Sequence, residues 1–80
     1  MCLFLESIQL NDGEFKRLNY HQERINKAFG ANFPGDRPFN LKESLYSKTF
    51  PTEGLYKCRV VYNREICQLE YNLLRRTKFL

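Results

Sequence analysis

Tyr20, His21 and Arg24 fall within little more than one helical turn in the stretch LNYHQERINKAFG, residues 18 to 30. Side chains three and four apart are neighbours on a helix surface, so Arg24 shares a flank with both others and the three can reach one ligand. A guanidinium offers a planar fork of donors and a permanent charge, which suits phosphate or carboxylate, and a phenol or imidazole beside it adds hydrogen bonds or a ring surface. The same spacing also fits a plainer arrangement, with Arg24 solvated and His21 half-buried with its nitrogens satisfied. Ile25, Ala28 and Phe29 recur on the stripe that carries His21, so the stripe faces a core and Arg24 stands at its margin.

Glu6 is the second residue of interest. In CLFLESIQL it shares a strand face with Phe4, Ile8 and Leu10. Burying a carboxylate there without a partner costs several kcal/mol, so Glu6 either lines a pocket beside a donor or water, or sits at an exposed rim of the sheet. Arg59 lies mid-strand with Lys57 and Val61 on its own face, where it either binds a carboxylate or covers the sheet with its stem. Cys58 and Cys67 have no neighbouring base and are expected to be small buried hydrophobes. No nucleophile stands beside a base, no glycine-rich phosphate loop occurs, one histidine cannot build a metal site, and no Cys/His set has zinc spacing. Residue types and spacing alone therefore display no catalytic machinery.

These residues need elements to position them. CLFLESIQL reads as a strand, apolar on both faces at its start and hence interior in a sheet. Asp12-Gly13 is a turn signal, and EFKRL returns as a shorter second strand. Asn19 with Gln22 has the pattern of an N-terminal capping box for the first helix, and Gly30 stands where a helix-terminating residue belongs. GANFPGDRPFN is expected to be loop, and Asn40 with Glu43 caps a short helix, LKESLYS, that turns Leu41 and Leu45 inward. LYKCRVVYNREICQLEYNLL then forms two strands around a tight turn at Asn63 and Arg64. Pairing Tyr62 with Glu65 brings Val60 opposite Cys67, Cys58 opposite Leu69 and Tyr56 opposite Tyr71 on an apolar face. The other face then pairs Lys57 with Glu70 and Arg59 with Gln68. The expected architecture is α+β, a two-layer domain in the order β-β-α-α-β-β with the helices gathered on one side of an antiparallel sheet.

Eighty residues make one domain. A hydrophobic content of 42% and an aromatic content of 15% are those of a folded chain rather than a disordered one. Thirteen basic against nine acidic residues give a net charge of +4, a mild attraction for anions. The basic residues are scattered, apart from RRTKFL at the end, which argues against the one-sided stripe of a duplex-binding surface. Three cysteines at wide spacing, with no signal segment before them, point to a reducing cytoplasm, and no apolar run is long enough to cross a bilayer.

Two stretches taken together, FLESIQLNDGEFKRLNYHQERINKA and GLYKCRVVYNREICQLEYNLLR, resemble the N-terminal small domain of the class IV (fold-type IV) pyridoxal-phosphate enzymes. That family includes branched-chain and D-amino-acid aminotransferases and 4-amino-4-deoxychorismate lyases. The resemblance covers nearly the whole chain and is weakest over residues 31–53. It implies that Arg24, the arginine of the H..R helix, holds the 5′-phosphate of pyridoxal 5′-phosphate, with His21 as the preceding motif histidine. It further implies that Glu6 stands beside the active-site cleft and that Arg59 lies near a substrate carboxylate. The family's Schiff-base lysine and the glutamate that pairs with the pyridine nitrogen belong to a larger C-terminal domain absent from this sequence, and Lys78 comes too early to substitute.

The expectation is thus one part of an enzyme, a fragment, a separately encoded piece or a remnant. Completed by a lysine-bearing domain or chain, as a homodimer, it would release pyruvate from aminodeoxychorismate to give 4-aminobenzoate for folate, or transfer an amino group. Two other classes stand beside it: a non-catalytic module that binds another protein through a sheet face left open, and a small basic nucleic-acid-binding domain, whose binding would weaken with salt.

Overall fold

The computed structural model describes residues 3–75. Its elements run β1 (Phe4–Asn11), β2 (Glu14–Phe15), α1 (Leu18–Asn32), α2 (Leu41–Tyr46), β3 (Leu55–Tyr62) and β4 (Ile66–Arg75). The strands form one antiparallel sheet in the order β2-β1-β3-β4, and the fold is the expected small α+β domain. β1 is interior, as its apolar start requires. Alternate residues of β1 and β3 (Ile8, Leu10, Cys58, Val60, Tyr62) point to one face, where they meet Ile25 and Phe29 of α1 and Leu41 and Leu45 of α2. Both helices therefore lie on one side of the sheet. No helix among the described residues is long and apolar enough to cross a membrane.

Asp12 and Gly13 have φ of 51° and 84°, the pair of left-handed residues that a two-residue hairpin turn needs. Asn40 caps α2 as expected, its Oδ1 accepting from Glu43 N at 2.9 Å.

Three details depart from the sequence reading. The first helix starts at Leu18, directly after a left-handed Arg17 (φ 56°), with no side-chain cap. Asn19 is inside its first turn, and the Gln22 amide is engaged elsewhere, donating to Phe39 O at 3.0 Å and accepting from Leu41 N at 2.7 Å. Gln22 thus ties α1 to the start of α2 instead of closing a capping box. The helix also runs through Gly30 to Asn32, so residues 30–32 are not loop. What stops it is Pro34, which disfavours the helical conformation at Phe33.

The β3–β4 register is shifted by two residues from the expected one: Val60 faces Leu69, Cys58 faces Tyr71, Tyr56 faces Leu73, Arg59 faces Glu70 and Lys57 faces Asn72. A tight two-residue turn at Asn63-Arg64 needs positive φ at Asn63 at least, and neither residue adopts it. A three-residue connection forms instead, Asn63 N donating to Glu65 O at 3.0 Å. A register irregularity after Tyr62↔Ile66 then absorbs Cys67. A shift of two preserves the faces, so the apolar side still assembles, but Cys67 is left exposed rather than buried.

Candidate functional site

Glu6 stands on β1 opposite Val60 of β3, on the sheet face that the helices cover. Its side chain is 5% exposed. α1 crosses above it and presents two donors from one flank: His21 Nδ1 lies 2.7 Å from Glu6 Oε1, and Arg24 Nε donates to Oε2 at 3.0 Å and to Oε1 at 3.2 Å. An ionised carboxylate only accepts, so the imidazole carries its proton on Nδ1 and donates. The buried acid thereby meets the requirement set by its burial, and the exposed-rim arrangement is not the one adopted.

Arg24 is tied to the buried carboxylate at its Nε, with 54% of its side chain exposed. The hydrogen bond it donates to Glu6, then the Glu6 charge, then the Tyr20 hydroxyl hold the guanidinium above its ordinary pKa. The Tyr20 ring lies 5.9 Å from the Arg24 guanidinium carbon and 4.5 Å from that of Arg17, and stands edge-on to His21 with centroids 5.2 Å apart.

In front of Arg24 is a cleft of about 280 Å³ lined by Phe4, Leu5, Glu6, Arg24, Lys27, Ala28 and Tyr62. Phe4 and Tyr62 stack at 5.5 Å to make its apolar wall. Burial, followed by the Glu6 charge, raises the Tyr62 phenol above its usual pKa against the opposing pull of Arg24. Lys27 is the charged lining residue that the sequence reading missed, and Leu5 and Tyr62 are apolar-wall residues it did not mark. The position of Lys27, three after Arg24 on a helix, was the available signal.

The structure brings Glu6, His21 and Arg24 together but not Arg59. Ser7 faces Arg59 in the β1–β3 register, so Arg59 projects from the opposite sheet face, where its Nη1 lies 3.5 Å from Glu70 Oε1. His21 is not in the cleft wall; it stands behind Glu6. Elsewhere, burial pushes the Cys58 thiol up to about 11 and the Tyr71 phenol across from it up to about 12. Neither is an activated nucleophile. Among the described residues no three His, Cys, Asp or Glu side chains gather as a metal site. No protein-family model, curated protein or solved structure matches the chain.

Proposed function

We propose that this chain is the N-terminal domain of a class IV pyridoxal-phosphate enzyme, an aminodeoxychorismate lyase or aminotransferase, and that its cleft holds the cofactor's phosphate. The observation that carries the reading is the Arg24 guanidinium, fixed on its inner edge by a buried carboxylate and open on its outer edge to a cleft shared with Lys27. Counting Glu6 as −1 and Arg24 and Lys27 as +1 each, the lining has a net positive charge, which suits a phosphate dianion.

A cleft of about 280 Å³ has ample room for a phosphate group. A partner domain would supply the lysine that the bound cofactor needs. When bound, pyridoxal phosphate supplies the electron sink for breaking a bond at the substrate's α-carbon. This chain's residues bind and orient: Arg24 and Lys27 hold the phosphate, Tyr62 and Phe4 wall it off, and Glu6 holds Arg24. Both Glu6 oxygens are engaged, so it belongs to the arginine's support rather than to substrate. Arg59, on the far face, has no part in this cleft. Exposed Leu3, Leu5, Leu73 and Leu74 offer apolar surface to the partner domain or to a second copy in a homodimer, and the free thiols Cys58 and Cys67 suit a cytoplasmic setting.

The test mixes the chain with the lysine-bearing domain of a class IV enzyme and pyridoxal phosphate, then follows cofactor absorbance after desalting and pyruvate release. Arg24→Ala is expected to weaken cofactor retention about ten- to a hundredfold, the value of a charge-assisted hydrogen bond. Retention that does not change in the assembled protein overturns the reading.

A further inference from the structure

His21 is buried and lies outside the cleft wall, yet it makes the shortest contact in the cluster, 2.7 Å from Nδ1 to Glu6 Oε1. That oxygen also accepts from Arg24 Nε at 3.2 Å, while Oε2 accepts from the same Nε at 3.0 Å. The terminal torsion of a glutamate is broad, so one donor alone leaves the carboxylate free to turn. Two donors arriving from one helix set its plane. Arginine has the opposite need: a long side chain, half in solvent, keeps its head in one place only if something holds it.

We infer that His21 is a positioning residue, which through the buried Glu6 carboxylate aims the Arg24 guanidinium at the cleft so that an anion meets a donor already in place. The imidazole itself does not touch the anion. This rests on the reading of Arg24 as the anion-holding residue, and it reassigns the motif histidine from the ligand to the ligand's support. The arrangement is a three-member relay across two elements: α1 supplies both donors, and β1 supplies the acceptor between them. The Tyr20 ring, against both His21 and Arg24, closes the same cluster from the solvent side.

The experiment uses the whole chain, isotope-labelled, with inorganic phosphate as the probe. In the wild type, nitrogen chemical shifts must show His21 protonated on Nδ1, and the Arg24 Nε–H must exchange slowly with solvent. His21→Leu removes the donor, whereas His21→Asn keeps one, since its Nδ2 occupies the same position along the side chain. In His21→Leu the Arg24 Nε–H signal is expected to lose its protection and phosphate affinity to fall about two- to tenfold, the ordering cost of one long side chain. His21→Asn should restore both within a factor of about two.

A folded His21→Leu protein with unchanged Arg24 protection and unchanged phosphate affinity overturns the relay. So does a wild-type His21 protonated only on Nε2, a measurement that needs no variant to fold. Failure of the reading beneath it looks different: phosphate then leaves the Arg24 and Lys27 signals of the wild type unmoved, whatever His21 does to Arg24.

Discussion

Replacing the Glu6 carboxylate with its isosteric amide keeps the shape of the cluster and removes half of its accepting capacity. In Glu6→Gln the amide oxygen stays with His21, which has no access to water, and the amide nitrogen points a donor at Arg24, which can turn to water because it is half-exposed. Arg24 thus loses its charge-assisted bond, a smaller loss at a half-exposed guanidinium than in a buried setting. Hydrogen exchange should show the Arg24 Nε–H losing its protection, and unchanged protection would mean that Glu6 is not the acceptor for Arg24. At this scale the sequence was informative about the partners and uninformative about their roles. A carboxylate at Glu6 among Phe4, Ile8 and Leu10 demanded a donor, and His21 on the apolar stripe of a helix demanded an acceptor. That the two demands answer each other depends on how α1 crosses β1, which no local pattern records. Arg59 shows the same limit from the other side: strand alternation placed it opposite the apolar face, and the helices cover that apolar face, so it cannot join Arg24.

The elements were legible wherever a residue had a conformation forced on it. Asp12-Gly13 tolerates left-handed backbone and marked its turn, and the Asn40 side chain marked its cap. Asn40→Ala should therefore cost about 0.5–2 kcal/mol in thermal unfolding and raise the exchange rate of the Glu43 amide, while an unaltered exchange rate would show the cap bond to be absent. The sequence misled where two structures shared one signal. Gly30 can terminate a helix or merely sit in one; it is exposed, its φ is not positive, and a Cβ added there meets nothing within 4 Å. Gly30→Ala is thus expected to stabilise the chain by about 0.5–1 kcal/mol, the helix preference of alanine over glycine. A helix-ending glycine would respond with the opposite sign. The β3–β4 hairpin was ambiguous for a similar reason, since registers two residues apart bury the same face and only the turn decides between them. Asn63 and Arg64, without a glycine, favour the larger turn.

A domain of this size has one core, and its stability is a small difference that any buried ionisable group can tilt. Cys58 and Tyr71 face each other across β3 and β4, and the pair gives the whole molecule an alkaline limit. Burial raises the Cys58 thiol from 9.0 to about 11. Burial first, then the charge of Cys58, raise the Tyr71 phenol from 10.0 to about 12. In both cases the folded state keeps its proton to higher pH than the unfolded state does. The unfolded chain then binds fewer protons above pH 9.0, so the unfolding free energy falls with rising pH. The stabilisation is complete below the unfolded values and is lost as pH climbs through the folded ones, a window from 9.0 to about 12 for the two groups together. Cys58→Ala removes the part of that window between 9.0 and about 11. The wild type's margin over Cys58→Ala, measured by urea unfolding at constant ionic strength, should hold steady below pH 9.0 and shrink between 9.0 and about 11. A margin that stays constant across that interval would mean that the thiol ionises alike in both states and that the sheet at β4 opens to water, in which case the packing between β3 and β4 is looser than the register implies.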